Sequence, residues 1–265
     1  MPKNTYHWDS KDYAEHSGAQ QRWAHELLAG LTLRGDERVL DIGSGDGKVT
    51  AAIADRLPHG SVVGVDSSEQ MVQLARDRHG AQAAQLRFEQ MDATDLRFDE
   101  PFDVVFSNAT LHWVRDHRPV LRGIKRLLTP RGRMLLQMGG RGNAGAMLEA
   151  MASVLARDRW RPHFAGFEFP YGFYGPEEYG PWLAEAALRP VRLELTNKDM
   201  RHETADSLLG WLRTTWLPYS ERVPADQRAT LLDEVLAEYL KTHAPDADGV
   251  IHVAMVRLTV EAVHA

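Results

Sequence analysis

The fold of this chain is decided by the stretch VLDIGSGDG at residues 39–47. An apolar run typical of a buried strand contains one acidic residue, Asp41, and leads into three glycines at alternate positions, Gly43, Gly45 and Gly47. Glycine permits positive φ angles and leaves no Cβ between the backbone and a ligand, and a helix that follows such a turn presents free N–H groups. The stretch therefore predicts a strand, a tight turn and a helix that together accommodate a nucleoside-containing cofactor.

The spacing of the glycines discriminates between cofactors. A dinucleotide-binding turn has the pattern G-x-G-x-x-G/A, in which the third small residue lets the helix pack closely on the strand. Here that third position is Lys48, which weakens the dinucleotide interpretation. The pattern Asp-Ile-Gly-x-Gly-x-Gly instead resembles the first motif of the class I S-adenosylmethionine (SAM) methyltransferases. The resemblance implies that the cofactor contacts Asp41, Gly43, Ser44 and Gly45.

Three further segments follow in the order that this resemblance requires: SVVGVD at 61–66, LRFEQMDA at 86–93 and FDVVFSNATLHW at 102–113. The first ends in Asp66, 23 residues after Gly43, where a doubly wound fold places the carboxylate that binds ribose hydroxyls. The second resembles the segment that holds adenine in these enzymes, and the third resembles their fourth strand and the loop that meets cofactor and substrate. The resemblance implies that the cofactor site also includes Ser67, Met71, Asp92, Ala93 and Asn108.

Each motif alone has a plainer interpretation as a turn, a helix cap or a solvated loop residue. The four segments together, at the spacing of βαβ units, favour the cofactor site.

Strands and helices alternate from about residue 38 to 138, a pattern that predicts an α/β fold with a parallel sheet and helices on both faces. The resemblance implies a doubly wound, mostly parallel, seven-stranded Rossmann-like methyltransferase sheet with a helical cap, closed by a last strand that lies antiparallel beside the sixth. The expected segments are an N-terminal cap helix at 1–35, a SAM-binding core at 36–140, a cap insertion at 141–189, a core strand at 190–200, a helical cap at 201–245 and a closing core strand at 246–265.

Within those segments, an amphipathic helix is predicted from Ser17 to Leu31, and a helix is predicted from about Ala144 to Arg157. Residues 164–179 show no regular spacing of apolar residues, so no helix or strand is predicted there. Strands are predicted at 191–196 and 250–263, and a helical stretch is predicted at 204–240, broken at Pro218 and Pro224.

Composition narrows the functional class. The chain has 265 residues, of which 43% are hydrophobic, and it contains no cysteine, which excludes disulfides and thiolate metal sites. The N-terminus lacks the apolar segment of a signal peptide, so we expect a cytoplasmic protein without a membrane partner. A net charge of −6 argues against a general affinity for nucleic acid. The sequence leaves the oligomeric state open.

A second resemblance concerns the acceptor. The stretch YAEHSGAQQRWA at residues 13–24 resembles the N-terminal helix of three enzyme groups: malonyl-acyl-carrier-protein O-methyltransferases, trans-aconitate methyltransferases and juvenile hormone acid methyltransferases. All three methylate a free carboxylate. The resemblance implies that Gln20 and Trp113 hold the substrate carboxylate and that Arg22 reaches the methionine carboxylate of SAM. The competing interpretations are that Trp113 packs in the core or the lid and that Arg22 is a solvated helix residue. His112 is a donor to the carboxylate, a base for a less acidic substrate, or a structural residue.

These features predict a SAM-dependent O-methyltransferase that acts on a small or medium-sized organic acid by direct in-line transfer. Two rivals remain open: a C- or N-methyltransferase of an aromatic or quinone-like metabolite that uses His112 as a base, and a non-catalytic SAM-binding module. No metal is expected, because no histidine pair has HExxH spacing; His112 and Asp116 lie four residues apart in a segment predicted to be a loop.

Overall fold

One seven-stranded sheet organises the part of the chain that the structure describes. The structure is a computed structural model that describes the backbone of residues 18–80 and 85–265 and the side chains of residues 23–80 and 85–265. The strands are β1 (Arg38–Ile42), β2 (Ser61–Asp66), β3 (Leu86–Gln90), β4 (Phe102–Asn108), β5 (Leu128–Gly139), β6 (Leu188–His202) and β7 (Ile251–His264), and their order in the sheet is β3-β2-β1-β4-β5-β7-β6.

The pairing confirms the predicted fold class. β1 pairs in parallel with β2 and with β4, β3 pairs in parallel with β2, and β5 pairs in parallel with β4. β7 runs antiparallel to β5 and is inserted between β5 and β6, as the resemblance implies for the last strand. The strand order reverses between β1 and β4, and ligands of doubly wound folds bind at the carboxyl ends of the strands beside such a reversal.

The helices mostly agree with the sequence pattern. They are α1 (Gly18–Gly30), α2 (Lys48–Ala54), α3 (Glu69–His79), α4 (Arg118–Leu127), α5 (Gly145–Leu155), α6 (Pro176–Glu185), α7 (Ala205–Thr215), α8 (Leu217–Ser220) and α9 (Arg228–Leu240). Pro218 lies in the first turn of α8, so the helical stretch is interrupted where predicted. The prediction missed α6, which begins at Pro176 and has Glu178 Oε2 accepting the Gly175 N–H at 2.9 Å.

The sheet carries an apolar cluster on each face. Successive strand residues point to opposite faces, so that Val39 of β1 packs in one cluster and Leu40 in the other. We call the two sides the α1 face, where α1, α2 and α3 contribute buried side chains, and the α4 face, where α4 and α6 do so. Both faces of the central strands are therefore covered, as parallel sheets require.

The chain divides into two compact units. The sheet unit contains Gln20–Arg141, Tyr171–Thr196 and Arg257–Ala265; the helical unit contains chiefly Gly142–Pro170 and Asn197–Val256. Inside the helical unit, the Arg157 guanidinium donates to Glu234 and to Glu238, each at 2.6 Å, and so connects the end of α5 to α9. That the predicted cap segments cover the cofactor stays a prediction.

Candidate active site

The glycine turn after β1 leaves space beside its backbone for a ligand. The N–H groups of Gly43 and Ser44 both donate to the Val65 carbonyl, at 2.7 and 2.9 Å, which anchors the turn to β2. Gly43 has a φ of 80°, and a Cβ there would lie 2.1 Å from the Thr110 side chain. Gly45 has a φ of 53°, yet a Cβ there would meet no described protein atom within 4 Å. A side chain is thus excluded at Gly43 by the protein itself, whereas the space beside Gly45 is available to a ligand.

Asp66, at the end of β2, supports this turn directly. Its Oδ2 accepts the Gly45 N–H at 3.0 Å, and its Oδ1 accepts the Ser68 N–H at 2.9 Å. Burial raises the pKa of Asp66, and the N–H groups of Ser68 and Gly45 partly offset that rise. A carboxylate offers about four lone-pair positions, so Asp66 can accept ribose hydroxyls while it holds the turn.

Asp41 is the last residue but one of β1. It is 2% exposed, and its Oδ2 accepts the Thr50 hydroxyl of α2 at 2.6 Å. Burial raises the pKa of Asp41 to about 7; the Thr50 hydrogen bond opposes this shift and the nearby Asp66 adds to it. This carboxyl group connects β1 to the helix that follows the turn.

The predicted adenine segment follows β3. Asp92 Oδ1 accepts both the N–H and the hydroxyl of Thr94, at 2.8 and 2.7 Å, which closes a local turn with Ala93 between them. Gln90 Nε2 donates to the Ser67 carbonyl at 3.0 Å and so connects the ends of β2 and β3. Met71 is buried in the first turn of α3, and its N–H donates to the Ser68 hydroxyl that caps this helix.

The end of β4 approaches the same edge of the sheet. Ala109 adopts a φ of 55°, unusual for a residue with a side chain, and its N–H donates to the Gln137 carbonyl at 2.8 Å. Within the described residues, the Asn108 Oδ1 and Ser44 Oγ atoms are buried without a hydrogen-bond partner. Because buried polar groups are normally paired, these two atoms mark places where a ligand can complete the hydrogen bonding.

Aromatic rings surround the turn after β4. Leu111–Trp113 forms one 3₁₀ turn, a short ordered element where the sequence analysis expected loop. The His112 ring lies 5.7 Å from Trp113, 6.3 Å from Tyr171 and 6.0 Å from Phe173, measured between ring centroids, and Tyr171 stacks on Phe173. The Gly172 N–H donates to the His112 carbonyl at 2.8 Å, so the segment that carries Tyr171 and Phe173 also holds the turn.

His112 is held as a neutral donor. Its Nδ1 accepts the Gly139 N–H at 3.4 Å, so the proton of the neutral ring lies on Nε2. Burial among these rings lowers its pKa to about 3, and the positive charge of Arg257 adds to the shift. With Nδ1 engaged and Nε2 protonated, the ring can donate a hydrogen bond but offers no free lone pair to take a proton.

The side chains of Gln20 and Arg22, predicted to bind the substrate and the cofactor, lie outside the described residues, although their backbone belongs to α1. Sequence reasoning did not select Tyr171, Phe173, Gln137 or Arg257. Gln137 and Arg257 did carry a signal, since each interrupts a short apolar run, MLLQM at 134–138 and VAMVRL at 253–258.

Comparison with known proteins identifies the family. A methyltransferase-domain family model matches residues 39–132, which span the glycine turn and the ends of β2, β3 and β4. A trans-aconitate 2-methyltransferase of Variovorax paradoxus is 31% identical to this chain, over 91% of this chain and 92% of that protein. The corresponding protein of Streptomyces coelicolor is 32% identical, over 94% of this chain and 84% of that protein. The chain belongs to the class I SAM-dependent methyltransferases.

Solved structures agree on the fold of this methyltransferase. A methyltransferase from Bacillus halodurans superposes with a TM-score of 0.62 at 19% identity, covering 90% of this chain and 97% of that one. The described residues contain no helix with both the length and the apolar content needed to cross a bilayer. The described part of this methyltransferase also has no cluster of three or more His, Cys, Asp or Glu side chains that could hold a metal ion.

The site fits the cofactor that the family uses, S-adenosylmethionine. The space beside Gly45 and the orphaned Ser44 and Asn108 oxygens lie along the carboxyl ends of β1 and β4. Asp66 stands next to them with acceptor capacity for ribose hydroxyls. The roles of the individual predicted residues at this cofactor stay predictions.

Proposed function

We propose that this methyltransferase transfers the methyl group of SAM to a carboxylate oxygen of a small organic acid. The observation that carries the proposal is the state of His112, a neutral ring whose Nδ1 accepts a backbone N–H and whose Nε2 carries the proton. Such a ring suits an acceptor that is already ionised. A carboxyl group, with a reference pKa near 4, meets that condition at neutral pH.

The chemistry requires positioning more than proton transfer. A carboxylate oxygen attacks the methyl carbon in line while the carbon–sulfur bond breaks and its electron pair stays on sulfur, which gives a methyl ester and S-adenosylhomocysteine. The chain has to hold the acid at attack distance and exclude water, and good positioning can lower such a barrier by about 7–11 kcal/mol. The Nε2–H of His112 and the indole N–H of Trp113 are the donors that orient the acid, together with Gln20 as the family resemblance suggests.

The names of the relatives narrow the acid. The matched proteins of Variovorax paradoxus and Streptomyces coelicolor are both named trans-aconitate 2-methyltransferases. We therefore infer that the substrate is a small acid with several carboxylates, and trans-aconitate is the first compound to test. The cytoplasmic location expected from the sequence stays a prediction.

The test is methyl-ester formation from a panel of acids, phenols and amines, followed by mass spectrometry, with a pH profile for the best substrate. We expect the rate to rise as the substrate carboxyl ionises and to stay flat through neutral pH, because His112 remains neutral there. His112→Asn should lower the rate only modestly, since Asn offers an acceptor for the Gly139 N–H and keeps one donor.

The opposite outcome has a clear signature. If the profile rises again near pH 6.5, and if His112→Asn removes that rise and costs several orders of magnitude with S-adenosylhomocysteine binding intact, His112 is a base. The carboxylate mechanism would then fail in favour of a C- or N-methyltransferase.

A further inference from the structure

A row of polar side chains lies on the α1 face, near the carboxyl end of β5 and in the middle of the antiparallel strand β7. Leu135 of β5 packs on the α1 face and Leu136 on the α4 face, so alternation places Gln137 on the α1 face. On β7, Leu258 packs on the α4 face, which places Arg257 and Thr259 on the α1 face as well.

Two of these residues are neighbours across the strands. Gln137 pairs with Thr259 and Gly139 pairs with Arg257, so Arg257 is the diagonal neighbour of Gln137. The Arg257 Nη2 points toward the Gln137 carbonyl at 3.5 Å. The two side chains therefore occupy one small region next to His112, whose Nδ1 bonds to Gly139.

Gln137 has hydrogen-bonding capacity that the described protein does not use. The side chain is 9% exposed; its Nε2 donates to the Thr259 hydroxyl at 3.1 Å, and its Oε1 is buried without a partner among the described residues. Because a hydroxyl can also donate, the amide can turn over so that Oε1 accepts from Thr259 and Nε2 becomes the unused group. Gln137 can then offer two N–H donors to an anion.

Arg257 supplies permanent positive charge at the same place. Its side chain is 3% exposed, and its guanidinium lies over the Trp23 ring of α1, 5.4 Å from the ring centroid. The planar fork of a guanidinium matches a carboxylate with two parallel hydrogen bonds, and the attraction is stronger where water is excluded. After burial, the positive charge of Arg257 is the next cause that lowers the pKa of His112, so this charge acts on the residue proposed to orient the acid.

We propose that Arg257 and Gln137 bind a second carboxylate of the substrate, the one that is not methylated. This inference rests on the proposed function, because it assumes that the acceptor is an acid. A guanidinium that binds a carboxylate in two places withdraws charge from its oxygens and makes it a poorer nucleophile, so Arg257 suits the non-reacting group. The neutral donors His112 and Trp113 suit the reacting group.

The experiment compares acids that share an unsaturated carbon skeleton but differ in charge: crotonate with one carboxylate, fumarate with two and trans-aconitate with three. For each acid, kcat and KM are measured in the wild type and in Arg257→Gln, Arg257→Lys and Gln137→Met. Acid binding is measured independently by calorimetric titration into enzyme saturated with S-adenosylhomocysteine. Arg192→Gln is the matched control, because Arg192 is an exposed arginine of β6 that pairs with Glu194.

We expect Arg257→Gln to raise KM and weaken acid binding by about 10- to 100-fold for the two polyacids, the range for a lost hydrogen bond to a charged group. Crotonate kinetics and S-adenosylhomocysteine affinity should stay near wild type. Arg257→Lys should recover part of the loss, and Gln137→Met, which preserves volume and charge, should raise the polyacid KM several-fold. If Arg257→Gln does not fold, the polyacid kinetics of Gln137→Met and Arg257→Lys still test the inference.

Three results would overturn the inference. Equal losses for crotonate and the polyacids would make Arg257 a structural residue, and an equal loss of S-adenosylhomocysteine affinity would assign it to the cofactor. Unchanged polyacid kinetics in Gln137→Met and Arg257→Lys would remove both residues from the site. A wild type that methylates none of the acids would instead refute the proposed function, and the inference with it.

Discussion

Gly45→Ala separates the cofactor contribution of the glycine turn from its role in the fold. In the structure, the added methyl group meets no described protein atom within 4 Å, so the folding cost is limited to the positive φ of 53°. That cost is about 1–2 kcal/mol. If bound SAM occupies the open space beside Gly45, the alanine Cβ clashes with it. Such overpacking typically costs about 1–3 kcal/mol, or roughly 5- to 150-fold in affinity.

The control for this experiment is Gly249→Ala. Gly249 also has a positive φ, of 82°, and a Cβ there also meets nothing within 4 Å, but it lies in the helical unit. Titration calorimetry with S-adenosylhomocysteine and thermal unfolding should show similar losses of Tm in both variants, about 2–4 °C per kcal/mol, and a loss of affinity in Gly45→Ala alone. Wild-type affinity in Gly45→Ala would refute the approach of the cofactor to this backbone.

Three further predictions concern the same site. Asp66→Ala should weaken S-adenosylhomocysteine binding by about 1.5–3 kcal/mol, with a smaller loss in Asp66→Asn, which keeps an acceptor for the Gly45 N–H; calorimetry compares them. Because the pKa of Asp41 is raised to about 7, its contribution to stability is present below pH 4 and is lost as pH rises toward 7. Asp41→Asn should reduce that decline in denaturant titrations at pH 4–8, and part of it should remain because burial also raises the pKa of Asp66. Methyl transfer should survive EDTA; full loss, restored by magnesium, would place a metal in the site.

The cofactor loop could be predicted from sequence because its determinants are local. A strand, a glycine turn and a helix follow one another within a few residues, and Asp66 ends the next strand along the chain. The antiparallel position of β7 was also predicted, but only from the family resemblance, since strand order is not a local property. The helix α6 was missed because two prolines, Pro176 and Pro181, and two aromatic residues obscure its period.

The residues proposed to bind the acid were far less predictable. Gln137 and Arg257 are 120 positions apart and become neighbours only because β7 is inserted beside β5. In the sequence each is one polar residue within a short apolar run, and that pattern alone fits a structural residue as well as a binding site. Tyr171 and Phe173 lie in a segment without period, so only the tertiary structure places them against His112.

The surroundings of three histidines, His252, His117 and His112, shift their pKa values in different directions, and the comparison bears on the role of His112. His252 lies between Asp246 and Asp199, and hydrogen bonds to these carboxylates raise its pKa. His117 is fully buried between the Tyr179 hydroxyl and the Val114 carbonyl, and burial lowers its pKa to about 4. A histidine base needs an accessible lone pair and a neighbouring negative charge that stabilises its protonated form. His112 has the reverse: a backbone N–H on Nδ1 and the positive charge of Arg257 nearby. That combination fits the proposed acid substrate, whose carboxylate is already ionised at neutral pH and needs no base.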